Sequence, residues 1–214
     1  MKGLSNAFIF ALFVSILFSC STSDENYRSD IDLSGTWQFS LDSANRGVEG
    51  KWYANALNDS VQLPGTTDTN HKGFLNTDST TMHLSREYKY EGPAWYRKTI
   101  DIPEKWKGKH IRFVMERTKP SKVWIDEQYV GSSLLLESPQ KYDVSAFLTP
   151  GKHTITVRID NDRKLTPYRN VHIYSDDTQT NWNGIIGRFT SKLRPKPISP
   201  TCRFIPILSK RRSR

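Results

Sequence analysis

The chain alternates apolar and polar residues in short runs. In HTITVRIDN, His153 to Asn161, the residues Ile155, Val157 and Ile159 point one way and Thr154, Thr156, Arg158 and Asp160 the other. A period of two places one side of a sheet on a core and the other side in water. KHIRFVMERT sets Ile111, Phe113 and Met115 on one side, with Val114 opposite, between Arg112 and Glu116. AWYRKTIDIP and SKVWIDEQYVG continue the pattern with β-branched and aromatic residues. Turn residues separate the runs at Pro103 to Gly108, Lys119-Pro120, Gly131 to Ser133 and Pro150-Gly151. No segment carries an amphipathic helical pattern longer than three turns. Strands this frequent, with no helices between them, predict an all-β antiparallel sandwich. At 214 residues the chain is too short for an eight-fold βα barrel, which needs about 250. Trp37, Trp95 and Trp124 sit within alternating runs and are expected in the core. Between about Gly47 and Tyr90 the pattern lapses into a polar, loop-like stretch. A loop of this length in a compact domain is functional or disordered. Near its end Arg86, Tyr88 and Tyr90 read as an ordinary exposed strand edge.

Charge adds a boundary. The formal net charge is +9, which taken alone suggests a nucleic-acid binder. Nine of the 31 basic residues lie from Arg188 onward, where no acid occurs, leaving 22 bases against 22 acids before it. The body is neutral and has no charge reason to seek phosphates, so no nucleic-acid partner is expected.

The first twenty residues carry Lys2 and then an apolar run from Ala7 to Phe18. At about 1.5 Å per residue such a run cannot cross a ~30 Å hydrocarbon core. It has the shape of a signal peptide. Leu17-Phe18-Ser19-Cys20 resembles a bacterial lipobox, which would make Cys20 the lipidation site and residues 21–30 a polar tether. Ordinary secretion with cleavage after Ser19 or Ser21 is the alternative. STSDEN resembles the acidic stretch of some Bacteroidetes surface lipoproteins, so an exported outer-membrane lipoprotein is expected, periplasmic or on the cell surface. With Cys20 lipidated, Cys202 has no partner and no disulfide framework exists. His71, His83, His110, His153 and His172 are scattered, with no close pair at ligand spacing. No metal and no cofactor is expected.

Six segments in order resemble the N-terminal sugar-binding domain of glycoside hydrolase family 2, the β-galactosidase and β-glucuronidase family. They are LSGTWQFSLD with Gly35 and Trp37, VQLPGTTD, GPAWYRKTIDIP, SKVWIDEQYVG, YDVSAFLTPGKHTITVRIDN and NWNGIIG. Together they span Ile31 to about Gly187. The resemblance implies a jelly-roll β-sandwich over residues 31–187. It also implies that the domain packs beside a catalytic (β/α)8 barrel, that its loops help wall the sugar pocket, and that both catalytic glutamates lie on that barrel.

Nothing in the chain suggests catalysis of its own, and no catalytic residue is assigned. The family's acid usually follows an Asn, and no Asn-Glu pair occurs here. Retaining hydrolysis needs two carboxylates about 5–5.5 Å apart. Glu87 and Glu91 are too far apart in extended chain, and the adjacent Asp176 and Asp177 would face opposite sides. Sugars present hydroxyls and one apolar face, so they need amide and carboxylate groups beside an aromatic platform. Asp68, Asn70 and His71 in TDTNHKG form one candidate set. Asp177, Gln179, Asn181, Trp182 and Asn183 in DDTQTNWNG form the other. The competing reading is that these Asn and Asp residues bond their own backbone in turns. The expected partners are a β-glycoside, a membrane through the lipid anchor, and downstream domains.

After Gly187 the chain is basic and contains Pro195, Pro197, Pro200 and Pro206. Residues 188–214 are therefore expected to form an irregular tail. A frameshift that cuts the protein short before its barrel is the simplest explanation, and a basic arm that binds a membrane surface or polyanion is the alternative. A cut of this kind would expose the face that meets later domains and leave a marginally stable product. An autonomous surface glycan-binding module is the competing functional reading.

Overall fold

The alternating runs become strands in the computed structural model, which describes residues 29–78, 84–167, 171, 175 and 178–194. The leader with Cys20, most of the tether, Asp177 and the tail beyond Arg194 lie outside the described residues. In chain order the strands are β1 (Asp30–Asp32), β2 (Gly35–Leu41), β3 (Asp59–Leu63), β4 (Gly65–Thr66), β5 (Phe74–Leu75), β6 (Tyr88–Lys89) and β7 (Pro93–Ile102). They continue with β8 (His110–Thr118), β9 (Ser121–Ile125), β10 (Gln128–Ser133), β11 (Gln140–Asp143), β12 (Gly151–Asp160) and β13 (Gly184–Arg194). No α-helix occurs among the described residues.

One sheet runs β10-β9-β12-β7-β2-β3. The facing sheet runs β1-β13-β8-β11, with β4 also paired to β13. β5 and β6 form a separate two-stranded arm. The inward set of β12, Ile155, Val157 and Ile159, is fully buried, and Ile111, Phe113 and Met115 of β8 meet it from the opposite sheet. Aromatic rings bind the two layers. Trp37 of β2 lies 4.9 Å from Phe189 of β13, and Phe189 meets Phe113 edge-on at 5.6 Å. The antiparallel β-sandwich expected from alternation, which the family resemblance makes a jelly roll, is the observed architecture.

Two expectations change. The outward set of β12 does not face water: Thr156, Arg158 and Asp160 are 0%, 7% and 5% exposed. The segment between β2 and β3 folds over that face. Trp95 and Trp124 are buried, as expected of core residues, and form a second layer on this face, with the Tyr53 ring stacked on Trp124 at 5.3 Å and 2°. Asp42 anchors the segment. Its carboxylate, 2% exposed, accepts from Trp95 Nε1 at 2.9 Å, Gly47 N at 2.8 Å and Arg46 N at 2.8 Å. The stretch from Gly47 to Tyr90 is likewise not one loop, since it contains four short strands, β3 to β6.

The final strand also runs past Gly187. It pairs with β1 and β8 through Arg194, burying Phe189, Thr190 and Ser191. The alternation is broken by a bulge between Ile186 and Phe189. Gly187 adopts φ 76° there, and Glu116 Oε2 accepts from Arg188 N at 2.7 Å. The bulge puts two exposed residues in succession, which reads in sequence as the end of a strand.

Asp42→Ala would leave three buried or half-buried donors without an acceptor. The expected loss is about 3 kcal/mol of unfolding free energy, with the near-ultraviolet signal of Trp95 and Trp124 reduced. Urea unfolding followed by tryptophan fluorescence and circular dichroism measures both. An unchanged midpoint would contradict the anchoring role.

Candidate functional site

Two loops nominated by the sequence lie far apart along the chain and meet at one end of the sandwich. Pairing of β4 with β13 brings them together, setting Gly184 opposite Thr66. Thr67 N then donates to Asn183 O at 2.8 Å. Gly184 has φ 141°, and a Cβ there would collide with the carbonyl of Gly65. The Asn-Gly pair thus combines a turn conformation with close backbone approach.

In the first loop, a single 3-10 turn spans Asp68–Asn70 and ends at His71, which takes a left-handed φ of 55°. Asn70 is consumed by that turn. Its Oδ1 accepts from Gln62 N at 2.6 Å, and its Nδ2 donates to Gln62 O at 3.1 Å and Thr66 O at 2.9 Å. Asp68 Oδ1 accepts from Tyr88 N at 2.7 Å, which docks the β5–β6 arm against the loop. The second carboxylate oxygen of Asp68 has no hydrogen bond among the described residues. The exposed His71 ring lies 5.2 Å from the Tyr88 ring.

The second loop divides into an inner and an outer part. Asn181 and Asn183 are completely buried, together with Asn161 of the β12 end. Asn183 Nδ2 donates to Gly92 O at 2.9 Å and Ile159 O at 3.1 Å, while its Oδ1 accepts from Tyr96 Oη at 2.8 Å. Asn161 Oδ1 accepts from Gly92 N at 3.0 Å, and its Nδ2 donates to Tyr90 O at 2.9 Å. Asn183 therefore has no surface to offer a ligand in this arrangement, and its side chain is a framing element. Burial drives the Tyr96 hydroxyl well above its ordinary pKa and lifts that of Tyr90 to about 12. Gln179 is exposed, with φ 57°, and its amide donates to Ser85 O. Trp182 is half-buried. Asp177 lies outside the described residues.

Two cations join this end unannounced by the sequence pattern. Arg86 and Lys119 are 5% and 3% exposed. Arg86 Nη1 donates to Tyr90 O at 3.4 Å, and Tyr90 is itself 3% exposed, so this segment is an interior edge and not an exposed one. Lys119 Nζ donates to Thr180 O at 2.6 Å and sits 4.9 Å from the Trp182 ring centre. Desolvation, followed by the nearby Arg86 charge, lowers the Lys119 pKa to about 8. In sequence Lys119 looked only like the start of a Lys-Pro turn. Both charges are thus spent beneath the surface, on backbone carbonyls and against the Trp182 ring.

Two outcomes follow. Asn183→Ala would strand Tyr96 Oη and two carbonyls and cost about 3 kcal/mol, read as a lowered urea midpoint; no loss would contradict the framing role. Lys119 gives a pH signature. Its folded pKa lies below that of the unfolded chain, so between about pH 8 and the ordinary lysine value the unfolded state binds more protons and stability rises with pH. Tyr90 opposes this above about pH 10, because its raised folded pKa holds a proton that the unfolded chain releases. Between pH 7.5 and 9.5 the urea midpoint should therefore increase in the native chain and increase less in Lys119→Met, where the half-buried Lys98, also lowered by desolvation, still contributes.

The Glycosyl hydrolases family 2, sugar binding domain profile matches residues 31–191. A Paenibacillus borealis protein named Beta-glucuronidase is 28% identical over 132 residues, covering 61% of this chain and 21% of its own length. A Beta-galactosidase of Enterobacter cloacae is 24% identical over 139 residues, covering 59% of this chain and 13% of its own length. Among solved structures, the Ruminococcus gnavus beta-glucuronidase in complex with uronic isofagomine superposes with a TM-score of 0.62 at 20% identity, covering 81% of this chain and 29% of that one. The chain spans under a third of the length of these relatives. The solved structure shares the β-sandwich described above, and with the profile matched over residues 31–191 the chain belongs to the sugar-binding domain family of the family 2 glycosyl hydrolases.

Proposed function

We propose that this domain is the non-catalytic, sugar-facing part of a β-glycoside-hydrolysing enzyme, and that Asp68, His71, Gln179 and Trp182 form its rim. The observation that carries the reading is the meeting of the two loops through the Thr67–Asn183 hydrogen bond, with Asn70 and Asn183 framing the loops from within. This geometry leaves the free oxygen of Asp68, the His71 ring and the Trp182 face at the periphery. Asn181, expected at the site, is as fully enclosed as Asn183 and belongs to the frame beneath the rim, while Asp177 lies outside the described residues. The chain carries no Asn-Glu pair, so the acid and nucleophile belong to another domain of the enzyme. The exposed Phe74, Leu75 and Leu84, at 68%, 62% and 64%, suit a surface on which a following domain packs. The Leu17-to-Cys20 segment supports export and lipid anchoring to the outer membrane at Cys20.

The purified chain is expected to release no p-nitrophenol from p-nitrophenyl β-D-glucuronide or β-D-galactoside; release above the buffer blank would overturn the non-catalytic reading. Retention on resins bearing these two sugars should fall about fivefold or more in Trp182→Ala, the scale of one lost sugar–aromatic contact. Equal retention would remove Trp182 from the rim. Radiolabelled palmitate should enter the native chain and not Cys20→Ala when both are expressed in a Gram-negative host, and equal labelling would refute the anchor.

A further inference from the structure

A cleft lined by both polar and apolar side chains lies away from both loops. It opens on the outer face of the six-stranded sheet, where the segment between β2 and β3 ends its coverage, and encloses about 550 Å³. Sites for small ligands span about 300–1,000 Å³. None of Asp68, His71, Gln179 or Trp182 lines it.

Its floor is an ordered pair of opposite charges. Arg158 Nη2 donates to Asp160 Oδ2 at 2.8 Å and to Asn45 Oδ1 at 2.8 Å. Both side chains of the ion pair are under a tenth exposed. The guanidinium is only partly satisfied. Nε is buried with no acceptor, and no hydrogen bond is made by Nη1 among the described residues. Buried polar groups are rarely left this way without a reason. Ser132 and Ser133 of β10 add hydroxyls at one wall. Around the mouth stand Val48, Leu134 and Leu165, exposed by 41%, 60% and 41%. They belong to three separate segments, and the main core does not use them.

The charges lining the cleft balance. Arg158 and Lys122 are offset by Asp160 and Glu49. A net anion gains nothing from this balance. A neutral vicinal diol fits it, because one hydroxyl can accept from Arg158 Nη1 while its neighbour donates to the Asp160 carboxylate or a serine. The three aliphatic side chains then cover the C–H face of the ring. We propose that this cleft is a second carbohydrate site, distinct from the loop rim, that takes the end of a neutral pyranoside.

The test uses the full-length chain, 15N-labelled, titrated with methyl β-D-galactopyranoside, methyl β-D-glucopyranoside and methyl β-D-glucuronide. Titration to about 50 mM saturates a site with a millimolar Kd. The neutral glycosides should shift the amides of Asn45 and Ser132 to Leu134 and the Arg158 Nε–H resonance. Ser132→Trp fills the cleft from an exposed position and should weaken this binding by about tenfold or more, about 1.4 kcal/mol. Trp182→Ala should leave these shifts unchanged, which separates this site from the loop rim. Shifts confined to residues 67–71 and 178–183, binding by the glucuronide alone, an unchanged affinity in Ser132→Trp, or no shift at all would each overturn the proposal.

Discussion

A primary amide without water around it must find every partner inside the protein, and Asn183 does so at the end of the sandwich. Its side chain grips the entry of β7, the end of β12 and the Tyr96 hydroxyl, while its backbone carbonyl holds Thr67. Hydrogen bonds in a low-dielectric interior are strong when complete and costly when broken. One residue therefore fixes where three strands and two loops stop relative to one another. The proposed rim of Asp68, His71, Gln179 and Trp182 would inherit its geometry from that fixed point. Sugar recognition depends on hydroxyl directions, so a rigid frame beneath the rim matters more than the number of groups on it.

The opposite constraint acts on the outer face of the large sheet. There a buried carboxylate, Asp42, pulls a polar segment down over two tryptophans. Covering only part of the face produces both a second apolar layer and, at its margin, the cleft floored by Arg158 and Asp160. A sheet open to water on that side would hold neither. Buried ion pairs contribute little net stability compared with apolar packing of the same volume. The Arg158–Asp160 pair is then better understood as specifying polarity at that spot than as strengthening the fold.

Much of the architecture was legible because alternation reports one buried face directly. Ile155, Val157 and Ile159, or Ile111, Phe113 and Met115, leave no other assignment. The errors have a shared physical origin. Alternation cannot tell that Thr156, Arg158 and Asp160 are covered by a segment distant in sequence. Nor can it tell an Asn that frames a site from one that touches a ligand, because both are amides beside a turn: Asn183 is enclosed, and Trp182 next to it is not. β3 carries only Val61 and Leu63 as inward residues, too few to show a period. Gly187 and Arg188 form a bulge, and a bulge erases the period where the strand continues. The burial of Arg86 and Lys119 was invisible because charge alone predicts exposure, whereas tertiary placement encloses them.

The placement of β13 bears on synthesis. This strand is central in its sheet, flanked by β1 from the start of the domain and β8 from its middle. Long-range pairing of this kind is slow, because loop closure must precede the contacts that reward it. A ribosome delivers the chain from the other end, so Trp37, Phe113 and the partner surface for Phe189 are made long before the strand that seals them. Until residue 194 clears the exit tunnel, β1 and β8 have open edges facing each other across a missing strand. Nascent chains of this domain thus depend on late closure, and a helper that shields the gap during synthesis would protect them at their most adhesive moment.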